Sequence, residues 1–368
     1  MSVIMENIRK AYTAAARTAQ WSILRHPSRS MSETLRTLAD RAEGLVESDV
    51  YGRGELIEAF EQKLAKTLGK PAALFLPSGT LAQPLALKLH CLQRRKNAVA
   101  LHPTSHLVLH EHDGYQQLWG LEGHLVGKPN TPIHLDDLQQ ISPASLAALV
   151  LELPMREIGG QLPQWDDLQA QVTWARQHDI AVHFDGARLW HCPAAYQRSL
   201  AEICDLADSV YVSLYKDIGG IAGAILAGPE DFIAEARIWA RRAGGNLISV
   251  YPYLLAAEQG MQENLAAIDK AVVYAQKLGE LLGQIDGVKV NPEQPQSAMF
   301  HLHIQGEMEV ISAAIVNFAE TQGIIVLPLP RATENGNCIF EISVGRNAMQ
   351  RPEAFWAQQL AKLMSQIK

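Results

Sequence analysis

From Ser28 onward the apolar residues alternate, segment by segment, between a helical period and short unbroken runs. Helices and buried strands taken in turn fold as an α/β protein around a mainly parallel sheet. Gly54 to Leu68 is predicted as a helix, with Leu56, Phe60, Leu64 and Leu68 four apart on one face and Gly69 as its stop signal. Ala72 to Leu76 follows as a buried strand and ends at Pro77-Ser78-Gly79-Thr80, after which Leu81 to Leu92 is helical again. The same reading predicts strands at Ala98 to Leu101, Leu146 to Leu153, Ile180 to Phe184, Val210 to Leu214 and Ile221 to Ala227. The last lies too close to its predecessor for a crossover, so it is expected antiparallel or at an edge.

After Pro229 the texture changes to an Arg-rich helix and then a long heptad-like stretch, Leu255 to Ile285, that reads as a hinge. Beyond it, strands near residues 288–290, 300–304, 324–327 and 339–344 and helices near 310–321 and 352–366 suggest a smaller α+β domain. The expected organisation is an N-terminal arm over residues 1–30, a large domain over 31–262 and a small one over 263–368.

Composition narrows the function. A chain that is 48% hydrophobic and 19% charged buries a core rather than staying disordered. A net charge of -7 disfavours nucleic acid and anionic membranes, so a small-molecule partner is expected. Cys91, Cys192, Cys204 and Cys338 are too scattered for a disulfide framework or zinc knuckle. With no unbroken apolar segment for export or spanning, a cytoplasmic location is expected.

Ligands of open parallel sheets gather at the carboxyl ends of strands, and four clusters lie there. Ser78, Gly79 and Thr80 open a helix, where free N–H groups suit a phosphate, although an ordinary N-cap with a turn glycine reads the same way. Asp185, in His183-Phe184-Asp185-Gly186-Ala187-Arg188, ends an apolar strand and needs a cationic partner, either a pyridinium nitrogen or Arg188. Lys216 lies 31 positions further on, before Gly219 and Gly220, and can form a Schiff base if desolvated; alone, it reads as a solvated surface lysine. His102, His106, His110, Glu111 and His112 form the fourth cluster. Its glutamate misses the H-E-x-x-H frame, so no metal is expected and a flat imidazole is left to stack on a planar ring.

Asp49-Val50-Tyr51-Gly52, LFLPSGTLAQPLALKLH, His106 five before Glu111, HFDGARLW, and Lys216 with Gly219 and Gly223 together resemble low-specificity threonine aldolases and their β-eliminating lyase relatives over roughly residues 48 to 260. The resemblance implies a fold-type-I pyridoxal phosphate enzyme. It implies Lys216 as the Schiff-base lysine, Asp185 as the pyridinium partner, His106 as the ring-stacking residue, and Ser78, Gly79 and Thr80 as phosphate donors. Arg188 would contact the cofactor or the substrate carboxylate. Because family sites lie at a dimer interface, Tyr51, Arg241 and Arg242 become candidates for a neighbouring subunit's site, in a homodimer or homotetramer.

Two departures concern the substrate. Where the family has Glu-Asn-Thr-His, its histidine facing the substrate hydroxyl, this chain has Glu152-Leu153-Pro154-Met155-Arg156, and Met155 cannot move a proton. Where the family carries an arginine for the substrate carboxylate, Phe340-Glu341-Ile342-Ser343 stands here, leaving Arg156, Arg331 or Arg346 as substitutes. The expected reaction is cleavage of the Cα–Cβ bond of a β-hydroxy-α-amino acid to glycine and an aldehyde, with His106 or a water it holds as base. β-Elimination on the same scaffold and a catalytically silent cofactor binder are the alternatives.

Overall fold

The structure, a computed structural model, describes residues 3–367, which form two compact units. One takes in the N-terminal residues through Ser30, residues 158–161 and the chain from Ala267 onward; the other holds residues 31–157 and 162–266. The first unit opens with α1 (Val3–Thr18) and the short strand β1 (Trp21–Ser22).

The second unit is built on seven strands: β2 (Ala72–Leu76), β3 (Ala98–Leu101), β4 (Glu122–Leu125), β5 (Leu146–Glu152), β6 (Ala181–Gly186), β7 (Ser209–Ser213) and β8 (Ala224–Gly228). Their order is β2-β8-β7-β6-β5-β3-β4. Strands β3 to β7 pair in parallel, and only β8 runs against its neighbours β2 and β7. The short β7–β8 connection therefore gives the expected antiparallel strand, but β2 covers it and takes the edge itself. β4 is the other edge. Its sequence, Glu-Gly-His-Leu, has no fully buried residue, so the apolar-run criterion did not find it. Strands β6, β7 and β8 are buried at every position, as a sheet covered on both faces requires.

Between β2 and β3 the chain forms α4 (Gly79–Arg94), which packs against β5, β6, β7 and β8. Ser78 caps it, its Oγ accepting the Leu81 N–H at 3.2 Å, a contact worth about 1 kcal/mol. The long helical stretch expected over Leu255 to Ile285 is interrupted: Tyr251–Gly260 and Ala266–Gly283 are α-helical, and Met261–Leu265 forms a π turn. Two contacts account for the wider turn. Gly260 backs onto the Ile218 carbonyl too closely for any Cβ, and Asn264 Nδ2 donates to that same oxygen at 2.6 Å.

The rest of the first unit carries β9 (Val288–Asn291), β10 (Met299–Gln305), β11 (Ile324–Ile325), β12 (Ala332–Glu334) and β13 (Asn337–Ser343). An antiparallel sheet has the order β12-β13-β10-β9, and β1 pairs in parallel with β11. Ala15 on α1 clusters with Ala319 and Ile325, so the N-terminal helix is part of this unit's core. Along β13, Cys338, Phe340 and Ile342 are buried while Ile339, Glu341 and Ser343 are half-buried. Among the described residues, no helix is long and apolar enough to cross a membrane.

Candidate active site

Strands β5, β6 and β7 end side by side, which brings residues distant in sequence to one edge of the sheet. Asp185 on β6 is paired in register with Glu152 on β5 and Tyr211 on β7. It is buried, and its carboxylate is fixed by two donors: Gln83 Nε2 reaches Oδ2 at 2.9 Å, and the Ala187 N–H reaches Oδ1 at 3.1 Å. Gln83 lies one turn into α4, so helix and strand together aim this acid.

Lys216 follows the end of β7, in a turn held by Ser213, whose Oγ accepts the Lys216 N–H at 3.3 Å and the Tyr215 N–H at 3.4 Å. Burial draws its ammonium below the ordinary lysine range and the nearby Arg188 charge adds to this, while Asp185, Glu152 and Asp217 oppose it. An amine so placed has a larger neutral, nucleophilic fraction than a surface lysine. Glu152 is the counterpart acid. Burial and the neighbouring Asp185 hold its carboxyl well above the usual range, against the pull of the Arg156 N–H, Arg188 and Lys216. Oε1 accepts the Arg156 N–H at 2.9 Å; Oε2 is buried without a hydrogen-bond partner.

Ser78, Gly79 and Thr80 form the first turn of α4, where backbone N–H groups have no intrahelical acceptor. The glycine also has a packing reason, because a Cβ there would collide with the Tyr211 hydroxyl. The histidine segment forms the four-residue helix α5 (His106–Leu109), and the His106 and His110 rings lie 5.1 Å apart, tilted. Each ring answers its own carboxylate: His106 Nδ1 is 3.0 Å from Glu111 Oε1, and His110 Nε2 is 2.9 Å from Glu157 Oε1. Among the described residues no three His, Cys, Asp or Glu side chains converge as metal ligands.

Arg188 is buried directly after β6, whereas Arg156 donates through Nη1 to Glu157 Oε1 at 3.1 Å, in the same carboxylate that meets His110. Tyr51, Arg241 and Arg242 gather elsewhere in this unit. All three line a cavity of about 380 Å³ whose walls include none of Asp185, Lys216 or Ser78. Tyr51 has a left-handed backbone (φ +49°) and is half exposed, with the Arg241 guanidinium 5.8 Å from its ring centroid. Its loop is anchored by the buried Asp49, which accepts the Val250 and Tyr251 N–H groups at 2.9 Å and Ser249 Oγ–H at 3.0 Å. Arg242 instead covers the Trp239 ring and approaches Glu235 at 3.9 Å.

Of the two departures, Met155 is buried. Phe340 lies on the core-facing side of β13, while Glu341 and Ser343 are half-buried on the other and are engaged by Arg331 and Arg25. Arg346 is half-buried in the turn after β13, and Arg331 is engaged by Glu341 at 3.4 Å and by His301 at 3.2 Å. Sequence reasoning missed Gln83 and Glu152. The signal for Glu152 was present, since it is an acid ending an apolar strand, the criterion that singled out Asp185. Gln83 was marked only as a polar residue within an otherwise apolar helix face.

The sequence matches the family described as β-eliminating lyase over residues 26–305. It is 27% identical over 293 residues to low-specificity L-threonine aldolase 1 of Arabidopsis thaliana, covering 77% of this chain and 81% of that one. Among solved structures, a Listeria monocytogenes EGD-E protein assigned as an L-allo-threonine aldolase has a TM-score of 0.90 at 36% identity, covering 98% of this chain and 100% of its own. An Exiguobacterium sp. 255-15 protein assigned as an aromatic amino acid β-eliminating lyase/threonine aldolase has a TM-score of 0.88 at 36% identity, covering 96% of this chain and 99% of its own.

Proposed function

The chain belongs to the β-eliminating lyase family, and from that premise we propose that it uses pyridoxal phosphate to cleave the Cα–Cβ bond of a β-hydroxy-α-amino acid, giving glycine and an aldehyde. The observation that carries this reading is the cluster at the ends of β5, β6 and β7, where an acid fixed by two donors acts electrostatically on a half-buried lysine whose ammonium is drawn below the ordinary range. The residues fit the cofactor. Asp185 offers an oriented carboxylate for a ring N–H, the first turn of α4 offers donors for a phosphate, and the unpartnered Glu152 Oε2 is a buried polar atom that awaits a ligand.

Pyridoxal phosphate, when bound, supplies an electron sink for the charge left at Cα as a bond to it breaks. Lys216 is the residue that would hold the cofactor's aldehyde carbon and yield to the substrate amine. Asp185 would keep the ring nitrogen protonated, which burial alone would oppose. Arg188, also buried, suits a carboxylate or a ring oxygen. His106 has two parts to play. With its Nδ1–H donated to Glu111, it keeps the Nε2 lone pair free to accept the β-hydroxyl proton, directly or through water, while its flat face suits the ring.

Tyr51 and Arg241 would serve the site of a second copy. The left-handed loop, anchored by Asp49, that holds a half-exposed Tyr51 near Arg241 in a cavity lined by neither Asp185 nor Lys216 supports that assignment. Arg156, Arg331 and Arg346 remain the candidates for the substrate carboxylate. Met155 favours β-elimination as the second reading, because no imidazole stands where the family's would receive the hydroxyl proton.

The test is aldehyde release by cofactor-loaded protein from L- and D-threonine, allo-threonine and phenylserine, with Lys216→Ala as control. Lys216-dependent release is expected. No release from any of the four, with a Lys216-dependent visible band retained, would transfer the assignment to β-elimination or to silent binding.

A further inference from the structure

Glu152 is a carboxyl of the strand-end cluster that the reaction outlined above does not use. It ends a strand whose other six residues are all buried, level with Asp185 on the neighbouring strand. A carboxylate there would set a second negative charge beside Asp185, and its buried Oε2 would have no donor. A carboxylic acid instead brings an O–H that needs an acceptor. Among the residues whose charges bear on it, Arg188 and Lys216 are donors only, and no hydrogen bond joins Oε2 to Asp185, whose oxygens take Gln83 and Ala187 and whose remaining capacity is assigned above to the ring N–H. The acceptor is therefore sought outside the chain, at the carboxyl edge of the sheet where ligands of such sheets bind.

We propose that Glu152 carries a proton in the cofactor-free protein and donates it as a hydrogen bond, through Oε2, to an oxygen of bound pyridoxal phosphate. This rests on the cofactor assignment made above. It makes Glu152 a cofactor-binding residue that acts as a neutral donor, where a charged acid would set a second negative charge beside Asp185.

Glutamine keeps a donor in the same shape and cannot ionise, whereas leucine has no donor. Titration of cofactor-free protein with pyridoxal phosphate across the pH range, followed by visible absorbance, separates the two. Glu152→Gln is expected to bind within about threefold of wild type, and Glu152→Leu to lose roughly 10- to 100-fold, the scale of one buried hydrogen bond. Wild-type affinity should decline with rising pH relative to Glu152→Gln, as Glu152 gives up its proton. Infrared spectra of the cofactor-free protein should show a protonated-carboxyl band that Glu152→Gln lacks, a readout that needs neither cofactor nor a folded Leu variant. The proposal is overturned if the band is the same in both, if Glu152→Gln binds as poorly as Glu152→Leu, or if both pH profiles coincide. Failure of the cofactor assignment looks different: wild type takes up no pyridoxal phosphate, or Lys216→Ala keeps an unchanged visible band, and this inference falls with it.

Discussion

Two buried polar clusters lie two residues apart on β6, and they are built on opposite rules. His183 belongs to the first, where its Nδ1 lies 2.8 Å from Ser209 Oγ and His90 Nε2 approaches the same hydroxyl at 2.7 Å, with the His90 ring stacked on Phe232. Burial pushes both imidazoles down to about 3, so both are neutral through the physiological range. Asp185 belongs to the second, with Glu152, Arg188 and Lys216, all ionisable and electrostatically coupled. The helix α4 reaches into both, through Gln83 and His90 seven residues apart. In the first cluster the imidazoles are neutral and share the Ser209 hydroxyl, and because the groups are uncharged burial stays affordable even with His90 Nδ1 and His183 Nε2 left without a partner. A polar group kept for chemistry stays charged or holds a proton, and the cost is tolerated where a ligand completes it.

The largest expected break in this comparison comes from Lys216→Ala, which should abolish both the visible cofactor band and aldehyde release while leaving the thermal melt of the cofactor-free protein near wild type. A large drop in that melt would mean the lysine serves packing. Next is Asp185→Asn, expected to lower kcat by roughly 10²- to 10⁴-fold, on the scale of losing a residue that controls a proton in the transition state. Steady-state rates at saturating cofactor measure it, and a loss below tenfold would contradict the role given to Asp185.

Ser209→Ala tests the other cluster. It leaves two buried imidazoles without their shared partner and should cost about 1–3 kcal/mol of stability in denaturant unfolding, with the cofactor's absorbance profile unchanged. The pH dependence carries the same distinction. Both histidines have folded-state values depressed from 6.5, so their contribution is complete above 6.5 and is lost as pH falls toward about 3, where the unfolded chain takes up the protons first. Stability of His90→Gln should therefore fall less steeply over that window than wild type; identical slopes would show that His90 does not titrate on unfolding. The smallest effect is expected at Arg242→Ala, which breaks a pair with both side chains about half exposed and should change stability by less than about 0.5 kcal/mol.

How much of this could be read beforehand differs by residue. Lys216, which alone reads as a solvated lysine, was singled out by the family resemblance, whereas Asp185 was legible because a charged residue at the end of an apolar run contradicts its surroundings. Glu152 has the same signature, but the Leu-Pro-Met-Arg segment after it drew attention to what was missing instead. The edge strand β4 escaped because an edge buries little, and β8 is antiparallel as read, with the choice between that and an edge left to the structure because spacing along a chain says nothing about which strand covers it. Phe340 was weighed as a ligand-facing position, whereas alternation along β13 turns it into the core.

By itself the sequence determined the α/β class and most of the strands, and marked Asp185 and the Ser78-Gly79-Thr80 helix start, since these follow from local periodicity and from residue types that burial alone would disfavour. Only the tertiary structure decided which side chains share one pocket. The Gln83 bond to Asp185, the Glu152 oxygen left without a partner, the Tyr211 hydroxyl that requires glycine at position 79 and the π turn opposite Ile218 all join segments far apart in the chain. Their energies depend on distances of a few ångströms set by strand order and helix placement, and no local pattern of residues encodes those distances.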